Sequence, residues 1–312
     1  MKKPNILYIG ICCYNRLEGI EKAFIDASHY YHGVRPENVN EGLKSLQWRP
    51  DIVFLQVQSE NYPSSLKSIL RHYKNKGSKV IQFNGDIRHE TPKFTYDLAE
   101  ACTVTCFSND RDVENVRKAG YRAEFLQIGI DPEVFTPEGP KDPNAGKIVF
   151  LANHAPHFPN GKLRMQLVRE LKKTYGNDFK VYGNGWGDLA SGECNVKNPL
   201  QEVNQWQKKE AAIYRGCNVA ISMSSFTESR YTSDRLFRAM GCGAMTMIHN
   251  FPRIEKVICE SAWPHNVFNN FDELKKYIGF YLNDKQESWD LVAKRTHNNY
   301  TYKHMVNRII PL

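Results

Sequence analysis

The sequence predicts an α/β protein with two doubly wound, Rossmann-like domains. Short apolar runs rich in β-branched residues alternate with amphipathic segments of helical period, as in parallel sheets with crossover helices. A segment rich in Pro, Gly and acidic residues, 131–146, interrupts this alternation once, and the alternation then starts again. The 312 residues suffice for two α/β domains of ordinary size. We therefore predict an N-terminal domain over residues 1–140 and a C-terminal domain over residues 141–312, with the final helix free to pack back on the first domain.

The first half of the chain carries five predicted strands that alternate with helices. Apolar runs at residues 5–11, 51–57, 79–83, 101–107 and 122–128 have the length and composition of buried strands. Helical patterns lie between them at residues 17–31, 38–46, 62–76, 93–99 and 113–119, and Gly77 ends the third of these.

After the linker the same order of elements returns. Strands are predicted at residues 147–151, 179–182, 218–223 and 244–248, and helices at residues 162–175, 203–215, 271–282 and 286–306, with a further helix that ends at Gly241. Two doubly wound domains joined near residue 140 leave a cleft lined by the carboxyl ends of both sheets. We expect the functional site in that cleft.

Composition and charge narrow the class of protein. Charged residues make up 24% and hydrophobic residues 41%, which is ordinary for a globular chain, and no apolar run approaches the ~20 residues that a membrane-spanning helix needs. The net charge of +8 lies entirely in residues 141–312, because residues 1–140 contain equal numbers of basic and acidic side chains. This partition favours a phosphorylated ligand in the second domain over a uniformly basic nucleic-acid binder.

The cysteines and the N-terminus indicate the compartment. None of the 8 cysteines forms a Cys-x-x-Cys pair, so no zinc site or thioredoxin-like motif is indicated. The N-terminal apolar run is short and leads into Tyr14 and Asn15 instead of a small-residue cleavage site. We expect a cytoplasmic protein with free buried thiols, no metal and no bound cofactor.

Residues 224–243 carry the clearest local signal. A polar loop follows the predicted strand at 218–223, and Ser233 can cap a helix whose first turn contains Asp234 and Arg235. A polar loop that leads from a strand into a helix N-terminus is where open α/β sheets bind anionic ligands. Arg235 and Arg238 add two cations, although a capped helix with surface arginines explains the pattern equally well.

Three motifs carry a resemblance to a known family. The sequence LQIGIDPEVFTP at residues 126–137 resembles the GID-x-x-x-F-x-P interdomain segment of group 1 glycosyltransferases with the GT-B fold. RLFRAMGCGA at residues 235–244 resembles their EAMACG helix, in the form found in CgeB-like members, and Lys162 after Gly161 resembles the lysine of the donor-phosphate loop. The resemblance covers the second half well and the first half only in layout. It implies transfer of a sugar from a nucleotide-sugar donor, without metal.

The chain departs from the family at the donor site. The family has two glutamates eight positions apart, where this chain has Arg230 and Arg238, and Glu228 and Asp234 are the nearest carboxylates. An arginine cannot accept hydrogen bonds from ribose hydroxyls. Three interpretations therefore stand: an unusual donor, a phosphate-binding role for Arg238, or a degenerate copy without activity.

The candidate site residues follow from these patterns. The predicted donor-binding residues are His154, Gly161, Lys162, Arg164, Asn184, Trp186, Ser233, Asp234, Arg235 and Arg238. Here His154 and Arg164 could replace the arginine that the family has before its lysine. Trp186 could stack on a base or pack under its loop, and Lys162 and Arg164 could simply be solvated helix residues. Asp86, His89 and Glu228 are the catalytic candidates, and Tyr14, Asn15, Gln58 and Arg88 are the acceptor-side candidates.

We therefore predict a glycosyltransferase that moves a sugar from a nucleotide-sugar donor to a hydroxyl of a saccharide, with retention favoured by the resemblance. One alternative is a phage-type DNA glycosyltransferase that acts on hydroxymethylated bases, although the neutral first half argues mildly against it. A nucleotide-sugar epimerase and a non-catalytic CgeB-like binding protein are further alternatives.

Overall fold

The computed structural model describes residues 2–10, 18–57, 60, 62–192, 203–258, 266–282 and 287–312. Tyr14, Asn15 and Gln58 lie outside the described residues. The chain forms two compact units, one of Met1–Gly129 with Tyr302–Leu312, and the other of Ile130–Thr301. None of the helices in the described part of the chain is long and apolar enough to cross a membrane.

The first unit contains a parallel sheet of six strands in the order β2-β1-β3-β4-β5-β6. The strands are β1 Ile6–Gly10, β2 Tyr31–Val34, β3 Ile52–Gln56, β4 Lys79–Asn84, β5 Val104–Phe107 and β6 Ala123–Phe125. The helices are α1 Glu18–Ala27, α2 Val39–Gly42, α3 Leu66–Asn75, α4 Lys93–Ala99, α5 Asp110–Lys118 and the chain-terminal α11 Tyr302–Ile309.

Both faces of this sheet are buried, which explains the continuous apolar runs of its strands. Tyr8, Phe54 and Phe83 lie on one face, where Met305 and Ile309 of α11 join their cluster. The alternate residues of the same strands, such as Val53 and Val80, point to the other face, where α3 and α4 cover them. The final helix is thus part of the core of the first unit.

The second unit contains a parallel sheet of five strands in the order β11-β10-β9-β7-β8. The strands are β7 Ile148–Leu151, β8 Phe179–Tyr182, β9 Val219–Ser222, β10 Met245–His249 and β11 Val267–Phe268. The helices are α6 Gly161–Tyr175, α7 Val203–Gly216, α8 Asp234–Gly241, α9 Phe271–Tyr281 and α10 Glu287–Asn299. Each sheet begins with the strand order 2-1-3-4-5 when its own strands are counted, which is a doubly wound order. The predicted fold class is confirmed.

Two element predictions were wrong. The helix predicted over residues 17–31 ends at Ala27, and residues 31–34 form the edge strand β2. The helix predicted over residues 286–306 is two helices, because the backbone N–H of Ile130 donates to the Tyr300 carbonyl at 2.9 Å and Ile130 forms a bridge with Thr301. In both places pairing with a distant segment decides the local structure.

Candidate functional site

The strand order of the second unit creates a crevice at the carboxyl ends of β7 and β9. From β7 the chain runs to β8 on one side, and it returns to β9 on the other side. The loops that follow β7 and β9 therefore leave in opposite directions, and ligands of open α/β sheets bind at such a point. Residues 152–160 lead from β7 into α6, and residues 223–233 lead from β9 into α8.

Asn160 fastens these two loops to each other. Its backbone N–H donates to the Ser225 carbonyl at 3.0 Å, and its side-chain amide donates to the Ser224 carbonyl at 3.0 Å and to Thr227 Oγ1 at 2.8 Å. Asn160 directly precedes α6. The start of α6 is therefore held against the loop that follows β9.

Two glycines allow the close packing of the loops. A Cβ atom on Gly161 would lie 2.6 Å from the Ala155 carbonyl oxygen. Gly183, which follows β8, has a φ of +144°, and a Cβ atom there would lie 2.0 Å from the carbonyl oxygen of Ala152. Any larger residue at either position would push the loop after β7 away.

Arg164 is a buried cation in the first turns of α6. Its side chain packs on aromatic rings, with the guanidinium carbon 5.3 Å from the Phe150 centroid and 5.9 Å from that of Trp186, and it donates to Ser225 Oγ. No described carboxylate pairs with it, and its buried Nε has no hydrogen-bond partner among the described residues. Burial, followed by the charge of Arg235, lowers the pKa of Arg164 to about 10. Because the positive charge of Arg235 disfavours the charged form of Arg164, an anion bound near both would be stabilised.

The remaining charges of α8 form a network with α7. Arg238 Nη1 lies 2.8 Å from Glu210 Oε2, and Arg238 Nη2 lies 2.6 Å from Asp234 Oδ2. Arg235 Nε lies 3.9 Å from Glu210 Oε1. Burial disfavours the ionised form of Asp234, but Arg238 and Arg235 outweigh this effect and lower its pKa. Arg238 thus forms ion pairs with two carboxylates, those of Glu210 and Asp234.

The start of α8 is capped as predicted from the sequence. Ser233 Oγ accepts a hydrogen bond from the backbone N–H of Arg235 at 3.4 Å, and Ser224 Oγ accepts one from the N–H of Ser233 at 3.2 Å. The loop after β9 is thereby held against the first turn of α8.

The other predicted donor-side residues lie around the loops after β7 and β8. Trp186 is 2% exposed, and its indole N–H donates to the Ala152 carbonyl at 2.6 Å, so it packs under its loop. The His154 ring stacks on Trp186 at 4.8 Å, and burial followed by the charge of Arg164 lowers the His154 pKa. Asn184 is exposed, and its carbonyl accepts a hydrogen bond from the His154 N–H. Lys162 is exposed on α6.

A pocket of about 410 Å³ opens beside this crevice. It lies at the carboxyl ends of β10 and β11, and its lining includes Thr227, His249, Asn250, Arg253 and Asn269. Thr227 is also the residue that accepts from Asn160, so the pocket continues from the tied loops.

The predicted catalytic and acceptor-side residues that the structure describes belong to two different loops, one in each unit. Asp86, Arg88 and His89 are exposed in the loop that follows β4 of the first unit. Asp86 and Arg88 line a small pocket with Phe94. Glu228 is half-buried in the loop after β9, and its carbonyl accepts a hydrogen bond from the backbone N–H of Tyr231 at 3.1 Å.

Glu210 is the main charged residue that the sequence reasoning missed. It lies on the buried face of α7 with Gln207, Ala211 and Tyr214. A carboxylate at helical spacing within such a stripe is a signal of a buried ion pair. That signal was available in the sequence.

Comparisons with known proteins agree with this picture. Residues 164–310, slightly less than half of the chain, match the family model described as "Glycosyl transferase-like". No curated protein matches the chain. The crystal structure of Anabaena Alr3699/HepE in complex with UDP and glucose is similar over 99% of this chain and 98% of that chain, with a TM-score of 0.58 and 10% identity.

Two further structures have the same architecture. The α,α-trehalose 6-phosphate synthase from Burkholderia multivorans matches 100% of this chain and 98% of its own, with a TM-score of 0.56 and 9% identity. A structure from work on glycosyltransfer with retention by trehalose-6-phosphate synthase covers 95% of this chain and 82% of its own, with a TM-score of 0.51 and 12% identity.

The fold is GT-B. At these identities the structural likeness concerns the fold, and the match of residues 164–310 adds the glycosyl transferase-like sequence pattern. Together they support the predicted activity, transfer of a sugar from a nucleotide-sugar donor. They give no support to the alternative of a DNA-modifying enzyme.

Proposed function

We propose that the chain is a retaining, metal-independent glycosyltransferase that transfers a hexose or pentose from a nucleotide sugar to a hydroxyl of a saccharide. The observation that supports this most is Arg164, which is 3% exposed and has no described carboxylate partner. A buried arginine without a counter-ion is costly, and a diphosphate in the crevice between β7 and β9 would supply the missing negative charge.

The surrounding groups suit a diphosphate. Arg235 adds a positive charge that helps to lower the pKa of Arg164, and Lys162 is exposed in the first turn of α6. The first turns of α6 and α8 add backbone N–H groups with the positive ends of two helix dipoles. When the bond between the sugar and the phosphate breaks, these fixed positive charges would stabilise the departing nucleoside diphosphate. The 410 Å³ pocket beside Thr227 offers room for another part of the donor.

The acceptor hydroxyl has to lose a proton during transfer. Asp86 and His89, which follow β4 of the first unit, are the proposed acceptor-side groups for this task, and Glu228 is the proposed carboxylate of the donor side. Retention is supported by the similarity to trehalose-6-phosphate synthase, whose structure concerns transfer with retention. The CgeB-like subfamily is proposed on the sequence of residues 235–244 alone. A cytoplasmic location is proposed from the free, buried cysteines.

The test is a thermal-shift screen with UDP-, GDP-, ADP-, CMP- and dTDP-sugars, followed by assays of hydrolysis and of transfer on each ligand that binds. We expect at least one nucleotide sugar to raise the melting temperature, and Arg164→Met to abolish that shift while Arg169→Met keeps it. Arg169 is an exposed arginine of the same helix and is the matched control. Isomerisation of the donor without transfer would indicate an epimerase. The absence of any shift would favour a binding protein with a decayed site.

A further inference from the structure

The 410 Å³ pocket beside the crevice is large enough for part of the donor, but its charge differs from that of the crevice. Its described lining contains one cation and one anion, Arg253 and Glu255, together with the imidazole of His249. Burial lowers the pKa of His249, so this ring is neutral at pH 7. The crevice, in contrast, has Arg164 and, at the start of α8, Arg235. The balanced charge of the pocket gives no preference for a phosphate group and favours a neutral ligand.

The polar side chains of the pocket have hydrogen-bonding capacity that the described residues do not use. The ring of His249 packs against Phe268, and neither of its nitrogens has a hydrogen-bond partner in the described part of the chain. Asn250 donates one amide N–H to Asn269 Oδ1 at 2.9 Å, which leaves its other N–H and its own Oδ1. The pocket therefore offers both donors and acceptors to a ligand with several hydroxyl groups.

One wall of the pocket is apolar. It consists of the buried Phe251 with Pro252 and Ile254. A sugar ring carries hydroxyl groups on its edge and C–H groups on its faces, and this lining matches both. The volume of the pocket also lies in the range of small-molecule sites. The chemistry of the lining thus fits a neutral saccharide.

The loops that form the pocket contain two strained backbone positions. Arg230 and Arg253 have φ angles of +56° and +59°, a region that residues with a side chain rarely adopt. The backbone N–H of Arg230 donates to the Pro252 carbonyl at 2.9 Å, which ties the loop after β9 to the loop after β10. Such strain concentrates at ligand-binding sites, and glycine would avoid it, so the arginine at residue 253 indicates a role for its side chain in the pocket.

The pocket lies apart from the expected place of the donor phosphates. Its lining residues His249, Asn250 and Asn269 mark the carboxyl ends of β10 and β11, whereas the crevice lies between β7 and β9. Neighbouring strands are about 4.8 Å apart, so the two sites are separated by roughly 10 Å along the sheet. The transferred sugar is bonded directly to the diphosphate and stays beside the crevice. A saccharide in the pocket is therefore a second ligand, and Thr227, which lines the pocket from the loop after β9, makes the two sites continuous.

We propose that this pocket binds the neutral saccharide that accepts the transferred sugar, with His249 and Asn250 as hydrogen-bonding partners of its hydroxyl groups. This inference rests on the proposed function, because it concerns the acceptor of that reaction. The acceptor-side residues predicted from the sequence all belong to the first unit, so the second unit adds a separate acceptor subsite.

Saturation-transfer difference NMR on the full chain tests the binding of free saccharides without a nucleotide. The probes are glucose, galactose, mannose, N-acetylglucosamine, maltose, cellobiose and lactose. At least one of them should bind, and it should bind more tightly than its 6-phosphate form, by about 3-fold or more. No binding by any probe would overturn the inference, and so would a 6-phosphate that binds equally well or better.

Variants of the pocket test the two named residues. Asn250→Leu and His249→Leu should each weaken the saccharide by about 10-fold, whereas His249→Gln, which keeps a donor and an acceptor, should stay within about 3-fold of the wild type. Asn298→Leu is the matched control, because Asn298 is an exposed asparagine of the same unit outside the pocket lining, and it should not change binding. Wild-type affinity in either leucine variant of the pocket would overturn the inference. If His249→Leu does not fold, the exposed Asn250 decides the comparison.

Arg253→Gly tests the use of the strained position. It should keep or raise the melting temperature, because glycine is unstrained at this φ, and it should weaken the saccharide by about 3- to 10-fold. Wild-type affinity in this variant would overturn the role of Arg253.

Calorimetry with the nucleotide that binds and with its glucose conjugate separates the acceptor from the transferred sugar. Asn250→Leu should leave both affinities within about 2-fold of the wild type, and in transfer assays it should raise KM for the saccharide alone. Loss of the difference between nucleotide and conjugate in this variant would place the transferred sugar in the pocket and overturn the inference. If a nucleotide sugar binds and no saccharide does, this inference fails alone. If a saccharide binds and no nucleotide sugar does, the proposed function fails, and the assignment of the pocket to an acceptor fails with it.

Discussion

Arg164 is a position where ligand binding and stability should oppose each other. Replacement by methionine keeps the length and the apolar contacts of the side chain but removes the charge. The guanidinium is buried against the rings of Phe150 and Trp186, and its Nε has no partner in the described part of the chain. We therefore expect Arg164→Met to stabilise the free protein and to lose affinity for a nucleoside diphosphate.

The magnitude follows from the pKa of Arg164. Burial, followed by the charge of Arg235, lowers it from 12.5 to about 10, and each unit corresponds to about 1.4 kcal/mol, so the charge costs the folded state about 3.5 kcal/mol. Both states are protonated below about pH 10, so this whole cost is present at neutral pH. The hydrogen bond to Ser225 and the ring contacts return about 1–2 kcal/mol. The variant should gain about 1.5–2.5 kcal/mol, which raises the melting temperature by roughly 3–10 °C.

Thermal unfolding with and without the nucleotide that binds best measures both effects. Arg169→Met is the matched control, because Arg169 is exposed on the same helix, and it should change the free energy of unfolding by less than about 0.5 kcal/mol. A lower melting temperature for Arg164→Met together with a full ligand-induced shift would refute the reasoning. It would show that the arginine is a packing residue and not the counter-ion of a ligand.

Three further predictions concern the same unit. Glu210→Gln should lower the free energy of unfolding in urea by about 3–5 kcal/mol, because it breaks a buried ion pair, and the double variant with Arg238→Met should recover most of that loss; no recovery would contradict the pairing. Gly183→Ala should cost more than about 2 kcal/mol by the same measurement, since its Cβ atom meets a carbonyl oxygen, whereas Gly187→Ala has free space and should cost about 1 kcal/mol. Lys162→Ala should leave the melting temperature unchanged and weaken nucleoside diphosphate binding by about 10-fold in calorimetry, and equal affinity would remove Lys162 from the site.

The strands buried on both faces could be predicted from the sequence, and the edge elements could not. Residues 52–55 and 148–151 are continuous apolar runs, and both lie in strands inside their sheets. Residues 31–34 are half-buried, contain a glycine, and become a strand through hydrogen bonds to β1. Such pairing leaves no hydrophobic period in the sequence, so the local pattern predicts a helix that continues through these residues.

The residues of the candidate site could be predicted from the sequence, but the ion pairs among them could not. From the sequence, Arg164 and Arg238 are both predicted to bind the donor, and nothing in the sequence separates their roles. The structure buries Arg164 on the same helical stripe as Leu167, Val168 and Leu171, and it ties Arg238 to two acids. The spacing of these residues predicts the buried stripe. The partner of Arg238, in contrast, is Glu210 of α7, which is 28 residues away, and no local pattern predicts such a contact.

The charges around α8 support the proposal that the chain keeps a binding site for an anionic ligand. The sequence shows arginine at residue 238, where the resemblance leads one to expect a carboxylate, and the structure shows that Glu210 and Asp234 neutralise it. A chain without an anionic ligand would be about 2 kcal/mol more stable with an aliphatic residue in place of Arg164, because burial of the charge costs more than the hydrogen bond and the ring contacts return. Arg238 has two carboxylates beside it, and the buried Arg215 donates to the backbone carbonyls of Val134, Thr136 and Pro140. Arg164, by contrast, has a buried Nε without a partner in the described part of the chain, and it lies in the crevice between β7 and β9, where a doubly wound sheet binds its ligand.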